Sequence, residues 1–208
     1  MPLDDRTKTR IGGVVLCGGP SRRMGTPKAS LPFGDDTMLS RVVRVLHGVV
    51  GRIVVAAGSE QALPSLSVPG VVVVRDRSPG MGPLAGLVEG LDALSRNFAN
   101  VKAAFVVGCD TPFLAPAFVE RLIERLDNAH DACAVWMDGR ARPLPLVVRL
   151  RAADVARRLL DAGVYRLGVL LDHMSTRWLD PEDLADVDPT LDSLRNLNTP
   201  EDYEAAVR

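Results

Sequence analysis

Lysine is scarce. It occurs only at Lys8, Lys28 and Lys102, so 22 of the 25 cationic residues are arginine, and a lysine in a chemically suggestive place carries unusual weight. Cysteine is as rare: Cys17, Cys109 and Cys133 form no Cys-x-x-Cys pair, which argues against a zinc site. An odd count also fits reduced, intracellular thiols better than a disulfide framework. No apolar stretch approaches the roughly 18 residues that a membrane span needs. Met1 to Arg10 lacks the apolar middle of a secretory signal and reads as a loose, flexible tail. Net charge is missing too. With 25 Lys plus Arg against 26 Asp plus Glu, a strongly basic nucleic-acid binder is excluded, though local basic sites are not. What remains is a cytoplasmic chain of 208 residues, 47% hydrophobic, expected to form one domain over 11–208.

Short β-branched runs alternate with segments of helical period. Val14-Val15-Leu16, Ile53-Val54-Val55, Val71 to Val74 and Ala103 to Val107 read as strands buried on both faces. Between them, Leu39, Val42, Val43, Leu46 and Val50 fall at helical spacing, with Asp36 or Thr37 able to cap the start. A second stripe begins behind Pro83 and runs from Leu84 to Leu94; a third runs from Phe118 to Leu126. This order predicts an α/β fold, a Rossmann-like, mostly parallel sheet with helices on both faces. Further on, Ala132 to Trp136 and Leu144 to Val148 read as strands joined by a turn, and Arg151 to Ala162 as a helix. Thr199-Pro200-Glu201-Asp202 reads as a capped helix start.

In an open parallel sheet, ligands sit outside the carboxyl ends of the strands. The loop after the first strand, Gly18-Gly19-Pro20-Ser21-Arg22-Arg23-Met24-Gly25-Thr26-Pro27-Lys28, is the strongest signal there. Glycines let backbone N–H groups approach phosphate oxygens, and Arg22, Arg23 and Lys28 supply compensating charge. It is not a Walker A loop, since Thr26 and Pro27 intervene between glycine and lysine. The absence of Gly-x-Gly-x-x-Gly disfavours a dinucleotide-dependent oxidoreductase. Asp76 and Asp110 each lie just past an apolar run, so both carboxylates are expected in one crevice facing the cationic loop. Carboxylates beside a triphosphate call for a divalent cation between them, and Mg²⁺ suits one or two carboxylates plus substrate phosphates. A helix cap or turn is the competing role for each aspartate.

Four segments in order carry a resemblance. They are Leu16-Cys17-Gly18-Gly19 through Lys28, Gly82-Pro83-Leu84-Ala85-Gly86, Cys109-Asp110-Thr111-Pro112-Phe113, and Asn196-Leu197-Asn198-Thr199-Pro200-Glu201-Asp202. Together they resemble the molybdenum cofactor guanylyltransferases, within the nucleotidyltransferases built on the nucleotide-diphospho-sugar transferase sheet. The resemblance implies transfer of GMP from GTP to the molybdopterin form of the molybdenum cofactor, with Mg²⁺ and release of pyrophosphate. It implies backbone contacts to the nucleotide from Leu16, Cys17 and Gly18, a phosphate-binding Lys28, a nucleotide-site Asp76 and a metal ligand at Asp110. Asn196 and Asn198 match a supportive pair near the site. Cys17 stands where alanine is usual, and Ala56-Ala57-Gly58 stands where a guanylyltransferase has asparagines that help read the nucleotide.

On this reading Lys28 and Arg23, aided by Arg22, stabilise charge on the departing pyrophosphate, Asp110 holds the metal with Asp76 ligating it directly or through water, and the helix start at Gly82-Pro83 offers N–H groups. Cofactor carriers or target enzymes are expected as transient partners. The alternatives are a cytidylyl- or sugar-phosphate nucleotidyltransferase on the same scaffold and a non-catalytic nucleotide-binding regulator. Arg140 and Arg142 are candidate borders of an acceptor pocket. His47 and His173 lack partners for a triad, and Cys109 reads as a buried strand end. Trp136 and Trp178 read as core; Arg149, Arg151, Arg157 and Arg158 read as a solvated face.

Overall fold

The computed structural model describes residues 3–18, 27–76 and 80–208. A short helix, α1 (Asp5–Arg10), leads into β1 (Ile11–Leu16); a small hairpin, β2 (Pro32–Phe33) and β3 (Asp36–Thr37), precedes α2 (Met38–Val50). Then come β4 (Ile53–Ala57), β5 (Val71–Arg75), α3 (Gly82–Asn97), β6 (Ala103–Gly108) and α4 (Pro116–Arg125). The hairpin β7 (Ala132–Met137) and β8 (Arg140–Arg149) is followed by α5 (Ala152–Asp161), α6 (Leu167–Asp172), β9 (Thr176–Leu179) and α7 (Pro200–Val207).

Seven strands form one sheet in the order β5-β4-β1-β6-β8-β7-β9. Pairings are parallel except those of β8, which runs antiparallel to β6 and β7. The mostly parallel sheet expected from the alternating pattern is therefore present. One face packs Val15, Val55, Phe105 and Val107 under α2 and α4. The other packs Val14, Val54, Val106 and Leu146 under α3, α5 and α6. Close approach of α3 to the sheet depends on glycine: a methyl at Gly90 would meet Val14 Cγ1 at 2.5 Å, and one at Gly12 would meet Leu94 Cδ2 at 2.6 Å.

Several expectations need correction. The polar stretch before Ile11 is not a loose tail throughout. Asp4 caps α1 by accepting from Thr7 N–H at 2.6 Å, and Leu3 is buried in the first core. β5 is an edge strand, so its valines are not buried on both faces, and Val73 is 42% exposed. Trp136 is 41% exposed at the end of β7, meeting Trp178 edge to face rather than filling the core. The arginines at 149, 151 and 157 do not form a merely solvated face. Arg149 donates to the carbonyls of His130 and Asp127, while Arg151 pairs with Asp131 and Arg157 with Asp92 and Asp154.

Candidate active site

The carboxyl ends of β1, β4, β5 and β6 open on one edge because the four strands run parallel. The ladder continues one residue beyond the strands: Cys17 N–H donates to Ala56 O at 2.8 Å, Cys109 N–H to Leu16 O at 3.0 Å, and Asp76 N–H to Ala57 O at 2.8 Å. Leu16 C=O and Cys17 N–H are thus committed to neighbouring strands.

Lys28 opens a 3₁₀ turn, Lys28–Ser30. Its Nζ donates to Asp110 Oδ2 at 3.0 Å and to Asn198 Oδ1 at 2.8 Å. Three residues from three distant motifs therefore meet at one ammonium. The ion pair is partly shielded, with side chains 16% and 21% exposed. Asp110 is seated from two sides. Leu197 N–H donates to its carbonyl at 2.9 Å, binding the 196–198 segment to the end of β6. Gly108 makes room for the carboxylate, because a Cβ there would stand 2.4 Å from Asp110 Oδ1.

Asn198 owes its position to the start of α7. Thr199 Oγ1 accepts from Asp202 N–H at 3.1 Å, and Asp202 Oδ2 accepts from the N–H groups of Asn198 and Thr199 at 3.0 and 2.9 Å. This is the reciprocal cap expected from the sequence. The Asn198 and Thr199 N–H groups hold the Asp202 carboxyl below the usual aspartate range.

Asp76 follows β5, and β4 and β1 lie between β5 and β6. At about 4.8 Å per strand, its backbone lies roughly 14 Å from that of Asp110. The two aspartates share an edge of the sheet but stand three strand spacings apart on it. Among the described residues no group of three or more His, Cys, Asp or Glu side chains could hold a metal. Asp110 offers one hard carboxylate, a donor set that suits an ion completed by substrate phosphates and water.

At the ends of β1 and β6, the mutual influence of the neighbouring Cys17 and Cys109 thiols lowers Cys17 against the opposing effect of burial and, together with burial, pushes Cys109 well up. Cys133 has no such neighbour among the described residues, and burial raises it to about 12. Gln61 folds over the same region: Gly58 N–H donates to Gln61 Oε1 at 3.1 Å, and Gln61 Nε2 lies 3.5 Å from Cys17 Sγ. Gln61 and Arg75, which donates to Gly58 O at 3.1 Å, were not apparent as site residues from the sequence.

Beyond Asn198 lies a cleft of about 1250 Å³. It contains Gly82, Arg142, Tyr165, Arg166, Arg195 and the pair Asn196 and Asn198. Gly82 adopts φ +70°, and a Cβ there would meet Tyr165 O at 3.0 Å, so glycine lets α3 start against the far wall. Arg142 is steered inward by a bulge in β8: pairing jumps from Ala134–Leu146 to Val135–Arg142. Its Nε is buried without a hydrogen-bond partner among the described residues, although its terminal nitrogen pairs with Asp138 at 3.3 Å. Arg140, at the exposed hairpin tip, does not line the cleft. Arg166 and Arg195 were missed in the sequence, where neither sits in a distinctive pattern. Arg22 and Arg23 lie outside the described residues.

The comparisons with known proteins fit this geometry. The family model described as the MobA-like NTP transferase domain matches residues 13–175. A Mycobacterium tuberculosis protein named "Probable molybdenum cofactor guanylyltransferase" is 38% identical over 164 residues, 78% of this chain and 79% of that one. A Bacillus mycoides protein of the same name is 29% identical over 200 residues, 95% and 96% of the two chains. The crystal structure of molybdopterin-guanine dinucleotide biosynthesis protein A from Archaeoglobus fulgidus superposes with a TM-score of 0.78 at 26% identity, covering 94% of this chain and 96% of that one.

Proposed function

The chain belongs to the MobA-like NTP transferase family and is a nucleotidyltransferase; from that premise we propose that it moves GMP from GTP to the terminal phosphate of the molybdopterin form of the molybdenum cofactor. The observation that carries this reading is the junction of Lys28, Asp110 and Asn198 between the strand-end edge and the arginine-bearing cleft. A phosphate donor and an anionic acceptor can then meet at one point.

The reaction needs no protein nucleophile. An acceptor phosphate oxygen forms a bond to the α-phosphorus, the bond from that phosphorus to the α,β-bridging oxygen breaks, and its electron pair leaves with pyrophosphate. Positioning and charge neutralisation must lower the barrier. Lys28 bears on the negative charge that grows on the leaving group, with Arg23 and Arg22 as its expected helpers. Asp110 would hold Mg²⁺, whose chemistry there would be to polarise the phosphoryl oxygens. The Cys17 carbonyl, the Gly18 backbone and Asp76 serve the nucleoside end, and the distance along the sheet supports placing Asp76 there rather than at the same ion as Asp110. Arg142, Arg166 and Arg195 receive the acceptor's charge, Asn196 and Asn198 support the point where the two substrates' phosphates meet, and Gly82 shapes the wall. The setting is cytoplasmic, with transient hand-over to a cofactor carrier or target enzyme.

The test is incubation with molybdopterin cofactor, Mg²⁺ and each of the four nucleotides, followed by identification of the dinucleotide. GTP is expected to give product. A cytosine dinucleotide would instead select the cytidylyl alternative, and tight GTP binding without product would select a regulator. Asp110→Asn is expected to lower turnover about 10²-fold or more.

A further inference from the structure

Two of the three cysteines stand side by side at the centre of the strand-end edge, and the proposed reaction uses neither thiol. β1 and β6 pair in parallel with Leu16 opposite Gly108, which makes Cys17 and Cys109 the next opposed pair. The Cys109 N–H bond to Leu16 O keeps the strands in contact at that point. Both side chains fall on the same face, in the core beneath α2 and α4. Neighbouring strands lie about 4.8 Å apart, inside the roughly 4.4–6.8 Å between Cα atoms that a disulfide spans. The pair is buried but not sealed, at 5% and 7% exposure, whereas Cys133 is at 0%.

We propose that Cys17 and Cys109 are an oxidant-reactive dithiol, converted by hydrogen peroxide to a disulfide that reversibly switches the active site off. One sulfur attacks a peroxide oxygen, the O–O bond breaks, and one water leaves to give a sulfenic acid. The second sulfur then attacks the first, the S–O bond breaks, and a second water leaves. Two thiols and one peroxide thus give one disulfide and two waters, with the peroxide taking the two electrons.

The switch follows from what adjoins each sulfur. Cys17 precedes Gly18, whose backbone faces the nucleotide in the proposed function, and Cys109 precedes Asp110, which pairs with Lys28. Bonding the sulfurs brings the Cβ atoms to within about 3.5–4.5 Å and draws the ends of β1 and β6 together. Displacements of that order in a positioning site cost roughly a hundredfold in rate. The activity arm of this inference rests on the nucleotidyl-transfer reading, whereas the chemical arm does not.

The reduced full chain is treated with hydrogen peroxide, digested without reductant and mapped by mass spectrometry. The expected result is a cross-linked Cys17–Cys109 peptide lighter by two hydrogen atoms, with Cys133 still reduced. Pyrophosphate release from GTP in the presence of acceptor falls roughly a hundredfold and returns with dithiothreitol. Cys109→Ala, read against its own untreated activity, keeps its rate under peroxide. Oxygen adducts on single cysteines without the cross-link overturn the proposal, as does equal inactivation of Cys109→Ala. A cross-link that leaves the rate unchanged overturns the switch. The mapping uses the unsubstituted chain, so it stands even if the variant fails to fold. A chain that releases no pyrophosphate from any nucleotide refutes the functional reading, while the absence or presence of the cross-link still decides the dithiol.

Discussion

The Lys28 ammonium sits where a carboxylate and an amide oxygen converge, and a compact point charge suits that place better than a planar guanidinium. Lys28→Arg is therefore expected to behave as a loss, with kcat down about 10²-fold in a pyrophosphate-release assay, despite the conserved charge. Gly108 makes a sharper test of Asp110, since it touches no substrate in this scheme. Gly108→Ala places a methyl 2.4 Å from Asp110 Oδ1, and the carboxylate must move. The expected outcome is a raised metal requirement and a lowered kcat, measured as activity against Mg²⁺ concentration. On the acceptor side, Arg142→Ala should raise the KM for the cofactor about tenfold, the effect of roughly 1.4 kcal/mol of lost binding, and leave the KM for GTP unchanged. Kinetics with each substrate varied in turn check that split. Equal effects on both substrates would remove Arg142 from the acceptor pocket.

At the scale of elements, α7 matters less for its own length than for the cap that begins it. The reciprocal bonds of Thr199 and Asp202 fix the turn that presents Asn198 to Lys28. Thr199→Ala is expected to cost about 1 kcal/mol in chemical denaturation, with a larger loss of activity than of stability. The pH dependence follows from the depressed Asp202 carboxyl. A carboxylate whose folded pKa lies below its unfolded one stabilises fully above the unfolded value, about 3.9, and loses that contribution as pH falls through the folded one. Wild type and Asp202→Asn should thus differ in melting temperature at neutral pH, and the two curves should converge in acid below that range. The bulged β8 does related work at the cleft, where Arg142 is among the lining residues and an uninterrupted strand would keep its regular alternation.

Across the whole molecule, two cores on opposite faces of one sheet hold the fold, and no cluster of metal-ligating side chains among the described residues contributes to it. Treatment with EDTA should therefore abolish turnover and leave the thermal unfolding midpoint where it was, as followed by circular dichroism. Among the described residues no helix is long and apolar enough to cross a membrane. Much of this architecture was legible in the sequence because it is written locally. The valine runs of β1, β4 and β6, the stripes of α2 to α4 and the cap at Thr199 each follow from a few neighbouring residues. The edge position of β5, the short α6 and β9, and the separation of Asp76 from Asp110 depend on strand order, a long-range property that no short window contains. The same holds for the site: Lys28, Asp110 and Asn198 were recognisable as motifs, whereas Arg166 and Arg195 gain meaning only from the cleft they share.

One contact sets a condition on the protein's synthesis. Lys28 and Asn198 are 170 positions apart, so the clamp on the ammonium is among the most distant pairings that the chain makes. As the polypeptide leaves the ribosome, β1 and β6, which precede Lys28 and Asp110 respectively by a loop and a turn, can pair well before Asn198 has been translated. A chain interrupted anywhere before Asn198 would hold its opposed charges without the third partner, so this clamp can close only after that codon has been translated.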